Sequence, residues 1–237
     1  MPAPAQSQKP LIRDVLLRDG MTLRLQAPAP ADYDDIKAFY DRLSPENRYL
    51  RFHGFGRTDI IARADAGASG VDRVALIARR DGLVVAAACY VGLREPGVAE
   101  VAFAVADADH RRGIATRMLE QLAAIAADRG IHRFDALVMT SNGPMLRVFE
   151  HGGFAVRRRS SFGELTVSLD ITPTEAVQER IDERDRPPCS VGEPGRRADR
   201  ARRCDYCDGD REPLRDLHDP TIAKMRPARL ISMLTST

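Results

Sequence analysis

The stretch AEVAFAVADADHRRGIATRMLEQLAAIA, Ala99 to Ala126, constrains the fold more than any other part of the chain. An alternating apolar run stops at an acidic turn, two arginines and a glycine follow, and an alanine-rich helical period begins. A period of two puts Val101, Phe103 and Val105 on one strand face and Glu100, Ala102 and Ala104 on the other. The first set is a core face. The second, two small residues and one carboxylate, reads as the floor of a cleft, with a solvated strand face as the alternative. Ile114, Met118, Leu122 and Ile125 then recur at helical spacing, which predicts a helix over about 112–128 packed on the sheet and ending before Gly130. A helix N-terminus exposes unpaired N–H groups and a partial positive charge. Arg111 and Arg112 add full charges there, Gly113 lets backbone come close to a ligand, and Ala115 keeps the next position open. Together these features suit a diphosphate. An ordinary strand-to-helix turn with two solvated arginines is the other reading.

Around this unit the period changes in a readable order. DGMTLRLQAP is a turn and a strand. ADYDDIKAFYDRLS is a helix with Tyr33, Ile36, Phe39, Tyr40 and Leu43 on one side. SPENRYLRF starts a second helix with Ser44 as cap and Pro45 in the first position, and TDIIARADA is a third, capped by Thr58. RVALIARRDGLVVAAACYVGL is a hairpin turning at Arg80–Gly82, and EPG at 95–97 leads into the strand Val98–Val105. HRFDALVM is a strand, NGPMLRVFEHGGF a helix, and FAVRRR with GELTVSLDI a closing antiparallel pair. TPTEAVQERIDERD is an acidic last helix with Thr172 as cap and Pro173 in its first position. The fold class is mixed α/β of the α+β kind: a mostly antiparallel central sheet flanked by helices, not a doubly wound one. GxGxxG, GxxxxGK and HExxH are absent.

Composition excludes several partners. Residues 1–185 carry 25 basic and 26 acidic residues, and the net charge of +2 arises after them. A near-neutral domain gives no reason to expect nucleic acid. The longest apolar run, residues 83–93, is too short to span a membrane. With no apolar core for a signal peptide near the start, the expectation is a cytoplasmic protein. Cys89 lies in an Ala/Val strand and reads as a buried small hydrophobe. His53, His132 and His151 have no visible partner. Arg157–Arg159 read as a solvated strand end, with phosphate or acidic-substrate binding as the alternative. Residues 1–18 read as a loose leader. Residues 187–237, rich in Arg, Asp, Pro and Gly, predict disorder, and the change after 186 is abrupt enough to fit a truncated or out-of-frame gene end. Cys204 and Cys207 with Cys189 and His218 match no standard zinc spacing, so no metal is expected.

VADADHRRGIATRMLEQL is similar to motif A of the GNAT superfamily of N-acetyltransferases, where Gln/Arg-x-x-Gly-x-Gly/Ala binds the pyrophosphate of acetyl-CoA. Here it reads His110-Arg111-Arg112-Gly113-Ile114-Ala115, with His110 departing from the usual first residue. NGPMLRVFEHGGF resembles motif B of that family. The resemblance covers about residues 19–171, followed by a linker helix over 172–186. It implies acetyl-CoA as cosubstrate, held by Arg111, Arg112, Gly113, Ile114, Ala115 and Thr116, with Asn142 and Phe149 beside the pantetheine arm. It also implies that a backbone N–H within Phe103, Ala104 and Val105 polarises the thioester oxygen. Phe149 stands where many members carry a tyrosine that protonates the leaving thiolate, which phenylalanine cannot do.

The segment Leu17–Phe55 resembles the start of acetyltransferase domains of the bacterial protein-lysine acetyltransferase (Pat) group, domains often fused to acyl-CoA synthetase-like subunits. In that group a glutamate on the strand before motif A is the general base, and Glu100 matches it by position. The implied acceptor is a protein lysine, such as one on an acyl-CoA synthetase. A small amine, or a non-catalytic acyl-CoA-binding regulatory role, are the alternatives.

Overall fold

Alternating strands and turn residues at fixed offsets fold into one sheet. The computed structural model describes residues 12–185 except 18, 55–56, 69–71 and 162–163. In chain order the strands are β1 (Ile12–Leu16), β2 (Thr22–Gln26), β3 (Arg73–Arg80), β4 (Leu83–Gly92), β5 (Val98–Val105), β6 (Arg133–Met139), β7 (Ala155–Ser161) and β8 (Glu164–Asp170). The helices are α1 (Tyr33–Arg42), α2 (Pro45–Phe52), α3 (Thr58–Ala66), α4 (Ile114–Ala127), α5 (Gly143–His151) and α6 (Glu175–Asp185). The strand order is β1-β2-β3-β4-β5-β6-β8-β7. Only β5 and β6 run parallel; every other neighbouring pair is antiparallel. The β3–β4 hairpin turns on Asp81 and Gly82, with φ of 51° and 80°. Two left-handed residues in succession match the twist of the flanking strands.

The two faces of the sheet are covered separately. α4 is the crossover between the parallel strands, and its Ile114, Met118, Leu119, Leu122 and Ala126 are buried with Val101, Phe134 and Val138. Ile36, Phe39, Tyr40 and Ala62 from α1 and α3 pack with Ile77, Ala87 and Ala104 in a second cluster. Val101 and Ala104 thus go to opposite sides of β5, as alternation requires. Arg117 and Glu120 of α4 are buried, and they pair with each other and with Asp185 and Arg184 of α6. Arg117 also donates to the Leu16 carbonyl at 3.3 Å. Both ends of the described chain therefore brace the first turns of α4.

Four local expectations change. Residues 12–16, expected within a loose leader, form β1, because Val15 opposite Leu23 completes the core edge. Ser44 caps α2, accepting from the Asn47 N–H at 3.2 Å, but Thr58 does not cap α3. It is the first residue of that helix, and its hydroxyl donates to Asp41 at 2.7 Å. The cap of α6 is Thr174, which accepts from Val177 at 3.3 Å, and Pro173 precedes the helix. Ile171 is still tied to the His132 carbonyl, and the Thr172 N–H goes to Asp170, so the helix begins two residues later than its sequence pattern implies. The expected disorder after 186, and Cys189, Cys204, Cys207 and His218, lie outside the described residues.

Between α2, α3 and the sheet lies a buried polar layer. Tyr40 donates to Asp65 at 2.6 Å and Arg73 pairs with Asp65 at 2.5 Å. The sulfur of Cys89 lies 3.7 Å from Arg51 and 3.9 Å from Arg73. Burial first, and then Asp65, push the Cys89 thiol up to about 11, against Arg51 and Arg73, which lower it. At pH 8 roughly one part in 10³ would be thiolate, about 10²-fold less than for an unperturbed thiol. Iodoacetamide at pH 8 is therefore expected to leave Cys89 unmodified in the native protein and to alkylate it after urea unfolding, as read by peptide mass mapping. Equal rates in both states would contradict this burial.

Candidate active site

The parallel pair opens into a fork. β5 and β6 are joined only over Val98–Glu100 and Arg133–Asp135, although the strands continue to Val105 and Met139. On its other edge β5 stays paired with β4 as far as Val105 opposite Ala86. The Ala106 N–H bonds to the Val85 carbonyl at 2.8 Å. In an antiparallel ladder residues alternate in direction, so Ala104 addresses β4 while Val101, Phe103 and Val105 turn N–H and C=O towards the fork. At its open end the Val105 carbonyl accepts from Asn47 Nδ2 at 2.7 Å and lies 3.0 Å from His110 Nε2. Asn47 and His110 are themselves 3.2 Å apart. The remaining outward groups of β5 form a ladder that an extended, amide-bearing chain can join.

The loop before α4 lies at the end of this strand. Arg111 has φ of 64° and Gly113 of 85°, so two left-handed residues flank Arg112. Glycine at the cap position has no side chain to satisfy the first turn, and that turn holds no acidic residue. The first helical bond runs from Arg117 N–H to the Gly113 carbonyl at 3.1 Å. The N–H groups of Ile114, Ala115 and Thr116 consequently have no acceptor within the helix. Arg111 is exposed. Arg112 is half-buried, 3.6 Å from both Asp19 and the buried Asp109, which also holds Arg80. Uncapped amides, a side-chain-free approach and the exposed Arg111 fit a diphosphate.

Glu100 stands at the fork's vertex, opposite Asp135 in register. Burial raises its proton affinity above the usual carboxylate range; Arg51 opposes that and Asp135 adds to it. Asp135 lies 3.3 Å from Arg133 Nε. Phe149 is fully buried in the main core, edge-on to Phe103 with ring centres 6.1 Å apart. It packs beneath the fork and offers no polar atom. Asn142, expected beside the cofactor, spends its carbonyl oxygen capping α5 through the Met145 N–H at 3.1 Å, which leaves its amide hydrogens.

The structure therefore brings Glu100, Phe103, Val105 and the 111–116 loop together along one strand and its following turn, and it adds residues that sequence reasoning missed. Asn47 and Arg51 come from α2, where the sequence reading names only the helix start, Ser44 and Pro45. His53, read as unpartnered, lies 3.5 Å from Glu164 on β8. His151 lies 2.7 Å from the Arg147 carbonyl. Arg157–Arg159 are exposed on the edge strand β7, with Arg158 paired to Glu150. Among the described residues no cluster of side chains is arranged to hold a metal, and no helix is long and apolar enough to cross a membrane.

The comparisons with known proteins bear on these same residues. The family model for the acetyltransferase (GNAT) family matches residues 36–154. Acetyltransferase Pat of Mycolicibacterium smegmatis is 35% identical over 80 residues, 34% of this chain and 24% of the relative. The likeness thus spans about a quarter of that protein. The GNAT domain of S. lividans PAT superposes with a TM-score of 0.60 at 34% identity, covering 67% of this chain and 96% of that one. The structure of yncA from Salmonella typhimurium with its cofactor acetyl-CoA gives 0.51 at 19% identity, over 65% of this chain and 96% of that one, a likeness of fold. The matched span encloses the fork, the turn and the uncapped helix start, and the chain belongs to the acetyltransferase (GNAT) family.

Proposed function

We propose that the chain transfers the acetyl group of acetyl-CoA to an amine, and that the acceptor is a protein lysine. The observation that carries the reading is the coincidence of the fork with the uncapped start of α4. Acetyl-CoA supplies the reactive thioester and a diphosphate. The amides of Ile114, Ala115 and Thr116, with Gly113 leaving the approach clear and Arg111 exposed beside it, receive the diphosphate. Arg112 is already held by two acids and serves mainly to shape the loop. The outward N–H groups of Phe103 and Val105 hold the arm in the fork, and one of them stabilises charge on the thioester oxygen. Asn142 offers its amide hydrogens to the same arm.

Glu100 has the proton work. An alkylammonium is only about one part in 10³ neutral near pH 7. A carboxylate with raised proton affinity, on the face of β5 turned away from the main core, can take that proton directly or through a water. Phe149 gives no proton, so the departing thiolate is protonated by solvent. Similarity to the S. lividans domain over nearly all of its length favours the protein-lysine acceptor.

Free-thiol release from acetyl-CoA tests the reading, with an acyl-CoA synthetase, a polyamine and no acceptor compared side by side. Release that needs the protein, with an acetyl mass increment on a lysine, is the expected result. Release with the polyamine alone would move the substrate to small amines. Cofactor binding with no release to any amine would replace the enzyme by a regulatory acyl-CoA-binding domain.

A further inference from the structure

Arg51 is a buried cation without a matching anion. It is 8% exposed, its Nε has no hydrogen-bond partner, and among the described residues no carboxylate lies within ion-pair distance. The one buried carboxylate in its layer, Asp65, is taken by Arg73 at 2.5 Å and Tyr40 at 2.6 Å. The guanidinium is held by ring faces, 5.2 Å from Phe52 and 5.9 Å from Tyr40, and touches Cys89. An arginine does not shed its proton to relieve such burial. One buried guanidinium, Arg51, and one half-buried, Arg73, share a single carboxylate, which leaves a net positive charge in this layer, an arrangement that is costly unless something answers it.

Glu100 is placed to answer it. Cys89 is the register partner of Ala102, and both belong to a small cluster with Ala68 and Ala75. Glu100 is two residues along β5 from Ala102, on the same face, roughly 7 Å away by strand rise. Arg51 touches this cluster at Cys89. After burial itself, Arg51 is the strongest influence on the Glu100 proton, and it favours the charged form. The other ionisable groups on this face are Asp65 of α3 and Arg73 of β3, already paired, Tyr40 of α1, which burial keeps protonated as it donates to Asp65, and the neutral Cys89 of β4. On the far side of the fork stand Asp135 with Arg133 on β6, and His53, just past the end of α2, with Glu164 of β8. Asp135 is the one that acts against ionisation.

We propose that Arg51 is a positioning residue acting through Glu100, the buried counter-charge that keeps this carboxylate ionised and ready before an acceptor amine arrives. The inference rests on Glu100 being the base. Its test is the pH profile of kcat/KM for Arg51→Met and Arg51→Gln, two neutral replacements that fill the space differently, with Arg51→Lys as the charge-preserving variant and acetyl-CoA binding as the check on folding. Arg51→Met or Arg51→Gln is expected to move the acid limb upward by roughly one pH unit. That is about a tenfold loss on the limb, recovered at higher pH, whereas Arg51→Lys keeps the limb near its original place. A limb that stays put in a folded neutral variant, or a loss equal at every pH, would overturn the proposal. Glu100→Gln run in parallel separates the two claims: if it keeps full turnover, the base assignment and the Arg51 proposal fall together. If it is inactive while the limb in the Arg51 variants does not move, only the Arg51 proposal falls.

Discussion

Glu100→Gln is expected to bind acetyl-CoA as the unaltered chain does and to transfer its acetyl group about 10²–10⁴-fold more slowly at neutral pH, the usual weight of a positioned general base. The amide fills the same space at the fork's vertex but accepts no proton from an ammonium. The pH dependence carries a sign. Burial, with Asp135 adding and Arg51 opposing, raises the Glu100 proton affinity. The wild-type kcat/KM should therefore fall on the acid side at a pH above the ordinary glutamate range, as the carboxylate becomes protonated. The variant should lack that limb and retain only the rise due to the amine's own deprotonation. Stopped-flow or steady-state thiol release over pH 5–10, beside a binding titration, separates the two effects. Unchanged turnover would remove Glu100 from the proton-transfer role.

Gly113→Val is expected to lose more than about 10²-fold in acetyl-CoA affinity. At φ of 85° a β-branched residue is strained, by about 1–3 kcal/mol. Its side chain would also stand where the diphosphate approaches the amides of Ile114, Ala115 and Thr116. Gly113→Asn adds a side chain while tolerating the left-handed backbone, so its affinity should fall between the two. The strain should lower the thermal midpoint of the valine variant, and tryptic resistance of its folded core would assign the loss to the site. An affinity unchanged by valine would mean that the ligand does not lie over this turn.

The elements of this site were legible where local rules decide them. The split of β5 into Val101, Phe103, Val105 against Glu100, Ala102, Ala104 follows from pleating, and both sides go to the clusters that alternation assigns. The helix start is legible to within two residues: the sequence pattern begins it near 112, and the left-handed Gly113 sets it at Ile114. The fork did not follow. Its existence depends on how far two parallel strands stay paired across a helix crossover, and that is decided by packing far apart in sequence. The same holds for Asn47 on the Val105 carbonyl and Arg51 against Cys89: each is a polar residue on a short helix, indistinguishable locally from its exposed neighbour Glu46. The strand β1 was hidden because a Pro/Ala-rich start looks like a leader until Val15 and Leu17 find the core edge. Thr172 and Thr174 are equally good caps by composition, and only the anchoring of Ile171 to the sheet selects the second.

Equilibrium dialysis of the full chain against labelled acetyl-CoA tests the central claim most directly, because it needs neither an acceptor nor turnover. One molecule bound per chain, saturating below about 1 mM, retained by Glu100→Gln and lost by Gly113→Val, is the result the fork and the uncapped helix start require. No saturable binding by the folded chain at that concentration would contradict it.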